Sequence, residues 1–256
     1  MTRRDDYYNR AKQEGYRARS AYKLKQLDEA AHLLSPGDRV VDLGAAPGGW
    51  LQVAAERVGE DGLVVGVDFQ RIDSVERGDA PVETLRGDVT DENVREKIRE
   101  IIGEADVVLS DMAPNLTGEY SVDHARSVHL ARQAFETARA VLGPGGDFAV
   151  KVFEGIDLDD FRADLDDEFD YVRIVNPDAS RDASSEVYLV GKGFLTAPVR
   201  EGDELTVEIE DEGAEGDGIA RVEGYTVFVP NAEIGETVEI RIDECKPRFG
   251  FGERLD

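Results

Sequence analysis

The sequence predicts an α/β fold, in which a doubly wound, mostly parallel sheet of seven strands is followed by a small all-β barrel. Short apolar runs alternate with helical stretches along the first 195 residues, which is typical of stacked βαβ units. A glycine-rich turn follows the first apolar run and opens a helix. After residue 195 only short strands separated by glycine turns remain. These observations predict two domains, residues 1–195 and 196–256.

The strands of the first domain are short apolar runs bounded by turn residues. They cover residues 39–44, 63–69, 82–89, 105–114 including a loop, 147–153, 171–177 and 184–194. Because only a short irregular segment joins the last two strands, we expect an antiparallel pair at one edge of the sheet.

The helices of the first domain are predicted from apolar residues repeated at a helical period. They cover residues 24–34, 49–59, 91–103, 121–142 and 157–169. Asp91 is the predicted N-cap, because its carboxylate can accept a hydrogen bond from the first helical turn. The run GPGG at 143–146 is expected to stop the long fourth helix.

The second domain contains four predicted strands with no helix between them. They cover residues 204–211, 218–224, 225–232 and 236–244. About sixty residues of this kind predict a small closed barrel resembling an OB fold.

The composition is strongly acidic, with 56 Asp and Glu against 30 Lys and Arg and a net charge of -26. Only seven of the bases are lysines. Such an acidic coat is tolerated where salt screens it, so we expect a cytoplasmic protein of a halophile. The chain has no apolar run of about 18 residues, so no membrane span is expected. Its single cysteine, Cys245, excludes an internal disulfide.

The charge is unevenly distributed along the chain. Residues 1–25 contain eight bases and three acids, and they contain half of the eight tyrosines. Although the net charge disfavours nucleic acid, a basic segment of this kind is suited to phosphates. Tyrosines such as Tyr7 and Tyr8 can also stack on bases. We therefore interpret residues 1–25 as an RNA-binding segment.

A ligand-binding edge is predicted where three strands end. The run DLGAAPGGW (42–50) joins the first strand to a helix, and Gly48 there lets a ligand approach the backbone closely. Asp68 and Asp88 end the second and third strands. Because ligands bind at the carboxyl ends of parallel strands, we expect a nucleoside-bearing cofactor, with Asp68 at the ribose and Asp88 at the base.

Four further charged residues should converge near that edge. Asp111 ends the fourth strand, Glu186 begins the seventh, and Lys23 lies on the N-terminal helix. Lys151 lies among apolar residues of a central strand, where burial is costly unless the charge is paired. A carboxylate is therefore expected beside Lys151.

The runs DLGAAPGGW, SDMAPN, KVF and SSEVY resemble those of the FtsJ/RlmE family of ribosomal RNA 2′-O-methyltransferases, and the match covers residues 1–195. Residues 196–256 resemble a TRAM domain, which is an RNA-binding barrel. The resemblance implies transfer of a methyl group from S-adenosylmethionine to a uridine 2′-hydroxyl in 23S rRNA or the large ribosomal subunit, with no metal. It implies a catalytic tetrad of Lys23, Asp111, Lys151 and Glu186. It also implies cofactor binding by Gly48, Trp50, Asp68, Asp88 and Asp111.

Several alternatives stay open at this stage. Lys151 acts either as a neutral base or as a cation that stabilises the oxyanion. The substrate could instead be a tRNA ribose. Two other classes compete, an NAD-dependent oxidoreductase on a similar sheet and a ribosome-assembly RNA-binding protein without activity.

Overall fold

The protein is described by a computed structural model that covers residues 4–180, 185–213 and 216–255. The chain forms two β-sheets in succession, the first of seven strands and the second of six. The predicted fold class is therefore confirmed. Among the helices of these ranges, none is long and apolar enough for a bilayer crossing.

The first sheet has the strand order β3-β2-β1-β4-β5-β7-β6. Its strands are β1 (Arg39–Leu43), β2 (Leu63–Asp68), β3 (Val82–Arg86), β4 (Ala105–Ser110), β5 (Leu142–Phe153), β6 (Phe169–Val175) and β7 (Glu186–Phe194). The first five strands are parallel, whereas β7 runs antiparallel to both β5 and β6. The carboxyl ends of β1 to β5 and the beginning of β7 therefore share one edge, called the carboxyl edge below.

Helices cover both faces of this sheet. They are α1 (Arg4–Glu14), α2 (Ala21–Ala31), α3 (Gly49–Val58), α4 (Glu92–Ile102), α5 (Tyr120–Val141) and α6 (Leu158–Asp166). Alternate residues of a strand point to opposite faces. Val40 accordingly packs with α2 and α3, whereas Val41 and Leu43 pack with α4, α5 and α6.

Several predicted boundaries shift in the structure. Residues 4–14 form α1, which was not predicted, and α2 begins at Ala21 rather than at residue 24. The run 143–146 does not separate helix from strand, because Leu142 already pairs with Ala105 and a register shift accommodates the glycines within β5. The prediction of Asp91 as N-cap is confirmed, since its side chain accepts from Asn93 N.

The second sheet contains six strands in the order β8-β12-β13-β11-β10-β9. They are β8 (Glu204–Glu208), β9 (Asp211–Glu212), β10 (Gly218–Val222), β11 (Tyr225–Val229), β12 (Thr237–Cys245) and β13 (Phe249–Arg254). The sequence did not predict the short β9 or the glycine-containing β13. Alternating side chains of β11 and β12 enclose a separate apolar core.

The barrel contacts the first sheet at the edge opposite the carboxyl edge. Lys246 forms an ion pair with Asp170 at the start of β6, with Nζ and Oδ1 3.2 Å apart. Pro247 lies beside Gly145 and Gly193. Because β7 starts at the carboxyl edge and ends at Phe194, the chain enters the barrel from the far edge.

Candidate active site

Sheet register explains why the predicted charged residues meet. Lys151 of β5 lies opposite Tyr188 of β7, and Phe153 lies opposite Glu186. Tyr188 shares a face with Glu186, because side chains two residues apart in a strand point the same way. This face of the sheet is the one covered by α2, which contains Lys23. Asp111 directly follows β4, the other neighbour of β5.

The structure brings all four predicted tetrad residues together. Lys151 Nζ donates to the backbone oxygen of Asp111 at 2.5 Å and to its Oδ1 at 2.8 Å. Lys23 Nζ lies 2.5 Å from Glu186 Oε1 and 4.0 Å from Asp111 Oδ1. Both lysines are buried, being 8% and 7% exposed. The result is a chain of alternating charges, Glu186–Lys23–Asp111–Lys151.

Tyr188 joins this chain, although sequence analysis did not single it out. Its hydroxyl donates to Asp111 Oδ1 at 2.6 Å, and its ring lies 5.8 Å from Lys23 Nζ. Burial, together with the negative charges of Asp111 and Glu186, raises the pKa of Tyr188 well above its usual range. The hydroxyl therefore stays protonated and donates to Asp111.

The two carboxylates of the tetrad stay ionised despite their burial. Burial opposes the charge on Asp111, but Lys151 and Lys23 outweigh it and lower the pKa of that carboxyl. Burial likewise opposes the charge on Glu186, while Lys23 lowers its pKa. In both carboxyls the neighbouring lysines therefore lower the pKa more than burial raises it.

The predicted cofactor loop lies at the same edge. Gly44, directly after β1, has a φ of +79°, and a Cβ there would lie 2.5 Å from Met112 Cγ. Gly48 has a φ of +105° and is the N-cap of α3. Asp68 accepts from Ala46 N at 3.0 Å and so fixes the loop to the end of β2. The N-terminus of α3 consequently points its unpaired backbone N–H groups toward the edge.

Two predicted cofactor residues differ from expectation. Asp88 does not end β3, which stops at Arg86; it lies two residues further and accepts from Thr90 N at 2.9 Å. The Trp50 side chain is 2% exposed and donates to Ser20 O at 2.8 Å. Only the backbone N–H of Trp50, in the first turn of α3, is therefore suited to a ligand at this edge.

Asp42 is a buried carboxylate that sequence analysis passed over. It lies within β1, is 1% exposed, and neither of its oxygens has a hydrogen-bond partner among the described residues. Burial, and then the charges of Asp111 and Asp68, raise its pKa well above the usual range. A cationic ligand would relieve this excess of negative charge. S-adenosylmethionine, with its ammonium and sulfonium groups, fits these residues.

We expect Asp42→Asn to stabilise the protein without cofactor near neutral pH and to weaken cofactor binding. The raised pKa means that stability is fully present below the unfolded pKa and falls as pH rises through the folded pKa. The amide removes this loss, worth about 1.4 kcal/mol for each pKa unit. The amide cannot become the carboxylate that a cationic ligand favours, so S-adenosylmethionine binding should weaken about tenfold. Urea unfolding at several pH values and calorimetric titration would measure both effects. Unchanged stability at pH 7 would contradict the expectation.

Most bases described in the N-terminal segment are already engaged within the fold. Arg10 and Lys25 pair with Glu14, and Lys25 also lies over a tyrosine ring. Arg17 donates to three backbone carbonyl oxygens of two neighbouring loops, and Arg19 donates to one near residue 180. Residues 1–3 lie outside the described ranges. The segment thus helps to build the site and is less free for phosphates than its composition indicates.

The tyrosines of that segment divide in the same way. Tyr16 and Tyr22 are buried and pack edge to face, with ring centroids 5.9 Å apart. Tyr7 is half-buried, with its ring 5.4 Å from that of Tyr22. Tyr8 is 60% exposed. Of the two tyrosines expected to stack on bases, Tyr8 is the more accessible.

A mostly parallel sheet with a glycine loop and acidic residues at its carboxyl edge defines a Rossmann-like α/β protein with a cofactor site. The FtsJ-like methyltransferase family matches residues 16–194, and the TRAM domain matches residues 198–255. The chain therefore belongs to the FtsJ-like methyltransferase family. In this chain the methyltransferase domain is followed by a TRAM domain.

Named relatives align along nearly the whole chain. Proteins called ribosomal RNA large subunit methyltransferase E are 68% identical in Natronomonas pharaonis and 63% identical in Haloarcula marismortui, each covering all of both chains. The protein of that name in Methanosarcina mazei is 51% identical and covers 98% of this chain and 92% of its own. A Plasmodium falciparum structure described as a ribosomal RNA methyltransferase gives a TM-score of 0.62 at 28% identity, covering 70% of this chain and 98% of its own. Several such relatives are haloarchaeal, which agrees with the halophilic composition.

Proposed function

We propose that the protein transfers a methyl group from S-adenosylmethionine to the 2′-hydroxyl of a uridine in 23S rRNA of the large ribosomal subunit. The observation that supports this most directly is the buried chain Glu186–Lys23–Asp111–Lys151 beside the cofactor loop. A pure RNA-binding protein does not need two lysines ion-paired in a buried site. The methyltransferase family also disfavours an NAD-dependent oxidoreductase.

The cofactor would be held at the carboxyl edge. We assign its binding to Gly48, to the backbone of Trp50, and to Asp68, Asp88 and Asp111. When bound, S-adenosylmethionine supplies a methyl group already activated on a sulfonium. Positioning of the ribose oxygen is then the main task left to the protein.

Lys151 is the candidate group for the hydroxyl proton. Its Nζ already makes two contacts with Asp111, which leaves one position on the nitrogen for the substrate. We propose that Lys151 enters this step as the neutral amine, so that a lone pair there would accept the hydroxyl proton while the bond from the methyl carbon to the ribose oxygen forms and its bond to sulfur breaks. Lys23, held by Glu186 at 2.5 Å, would orient the hydroxyl. Tyr188 and Asp111 would keep the amine of Lys151 aimed at it.

Methylation of defined RNAs would test the function. The purified protein would be incubated in molar KCl with radiolabelled S-adenosylmethionine and either large-subunit rRNA, assembled large subunits or bulk tRNA. Nuclease mapping of the labelled nucleotide should give a 2′-O-methyluridine in the rRNA. Label in tRNA alone would favour the tRNA alternative, and no label in any RNA would favour the non-catalytic one. The same map from a deletion strain would show whether that site depends on this protein.

We further propose that residues 196–256 are a separate RNA-binding domain. Three phenylalanines lie on the outer surface of its barrel, called the phenylalanine face: Phe228, Phe249 and Phe251. Their rings are 5.6–5.8 Å apart, and Phe249 is 37% exposed. Ring faces of this kind stack on unpaired bases, which suits a protein whose phosphate contacts are weakened by salt.

The phenylalanine face should therefore contribute more to RNA binding in high salt than the neighbouring basic side chain of Arg248 does. Phe249→Ala with Phe251→Ala should weaken rRNA binding at 2 M KCl by about tenfold or more, since stacking is worth about 1–3 kcal/mol per base. Arg248→Ala should matter mainly at low salt. The matched control is Ile234→Ala, an apolar residue that is 60% exposed elsewhere in this domain. Equal losses for the control and the double variant, measured by filter binding, would exclude a specific role.

A further inference from the structure

Side chains in the first turn of α3 form hydrogen bonds with the segment that leads into α2, the helix of Lys23. Trp50 Nε1 donates to the Ser20 carbonyl at 2.8 Å. Gln52, 6% exposed, accepts from Arg17 N at 2.8 Å and donates to the Gly15 carbonyl at 3.2 Å. The cofactor loop and the segment 15–20 are thus joined by partly buried hydrogen bonds rather than by apolar packing alone.

The Ser20 carbonyl connects these hydrogen bonds to the active site. Ser20 is the N-cap of α2, without a side-chain cap hydrogen bond. Its carbonyl oxygen accepts from Lys23 N at 2.9 Å as well as from Trp50. The indole therefore shares one acceptor with the backbone of a tetrad residue and fixes where that helix begins.

The indole ring reaches the other side of the site too. Its centroid lies 6.0 Å from that of Tyr188, with the planes tilted by 35°. Tyr188 donates to Asp111 at 2.6 Å. Trp50 consequently contacts both the helix of Lys23 and the residue that holds Asp111, while its own backbone belongs to the cofactor helix.

We infer that the Trp50 side chain is a positioning residue, which sets the tetrad relative to the cofactor loop through its hydrogen bond to Ser20 and its packing on Tyr188. This inference rests on the proposed methyltransferase function. It adds a role for the side chain to the expectation that Trp50 binds the cofactor, which is here left to the Trp50 backbone. It predicts that the indole N–H affects turnover and leaves cofactor affinity unchanged.

Trp50→Phe would test this inference, because it removes the N–H and keeps an aromatic ring. We expect kcat to fall about tenfold, with the KM and the calorimetric Kd for S-adenosylmethionine within twofold of wild type. The matched control is Tyr225→Phe, which removes a buried aromatic donor to a backbone carbonyl in the barrel, 2.7 Å from Lys246 O. Its kcat should not change.

A second variant covers the case in which Trp50→Phe does not fold. Trp50 is the single tryptophan of the chain, so growth on a benzothiophene analogue replaces its N–H by sulfur at this position only. The same fall in kcat is expected. A tenfold weaker Kd for the cofactor, or an unchanged kcat, would overturn the inference. Failure of the wild type to methylate any RNA would instead refute the proposed function, and the cofactor Kd would still be measurable.

Discussion

Lys151→Ala is expected to abolish methyl transfer, with a fall in kcat of about 10²–10⁴-fold, the usual contribution of a positioned proton acceptor. Lys151 is buried and its amine is aimed by two contacts with Asp111. Lys23, the other lysine of the tetrad, is further from Asp111, with its Nζ 4.0 Å from Asp111 Oδ1. Single-turnover assays with saturating RNA would measure the loss of the chemical step.

Two measurements make this expectation specific. Calorimetry should show S-adenosylmethionine binding within about threefold of wild type, because the assigned cofactor contacts remain. Lys151→Arg keeps a cation that cannot act as a base. If the arginine variant kept most of the wild-type rate, Lys151 would stabilise the oxyanion as a cation. Near-normal turnover of the alanine variant would remove Lys151 from the mechanism altogether.

Asp111→Asn should be damaging to both stability and activity. Asp111 lies between the two lysines and also accepts from Tyr188. Breaking a buried ion pair from one side costs about 3–5 kcal/mol, because the remaining charge has lost its partner. We expect the free energy of unfolding at pH 7 to fall by that amount and turnover to fall at least about 100-fold. Urea unfolding and the methylation assay would report the two effects.

The double variant Asp111→Asn with Lys151→Met separates these effects. It removes the unpaired ammonium, so most of the stability should return while activity stays absent. Acid titration gives an independent check. The lowered pKa of Asp111 means that its stabilisation is present above the unfolded pKa and is lost as pH falls through the folded pKa. The single variant should lack this part of the acid dependence. A single variant as stable as wild type would show that the pair contributes nothing net.

Much of the fold follows from the sequence because strand and helix periods are local properties. The apolar runs at β1, β2 and β4 and the long α5 are visible without any tertiary information. The predicted start of β5 was wrong, because Leu142 already pairs with Ala105 of β4 and a register shift takes up the glycines that follow it. β13 was missed since its buried positions are Gly250 and Gly252, so no apolar side chain marks its inner face.

Site residues were predictable where a charged side chain stands out from its neighbours in the sequence. Lys151 was singled out because a lysine among apolar strand residues requires a partner, and the structure places Asp111 at 2.8 Å. Asp42 and Tyr188 were missed, because an aspartate or tyrosine in a strand gives no signal until its neighbours are known. The role of Trp50 needed the packing of two helices, which no local pattern encodes. The family resemblance itself is confirmed, whereas the roles of single residues stay predictions.

The direction of β7 sets a length scale for recognition. Its nine residues span roughly 30 Å from the tetrad to the far edge, where the barrel is attached. An oligonucleotide that fills only the methylation site would be too short to touch the second domain. The proposed function therefore requires an RNA large enough to reach from the tetrad to the barrel.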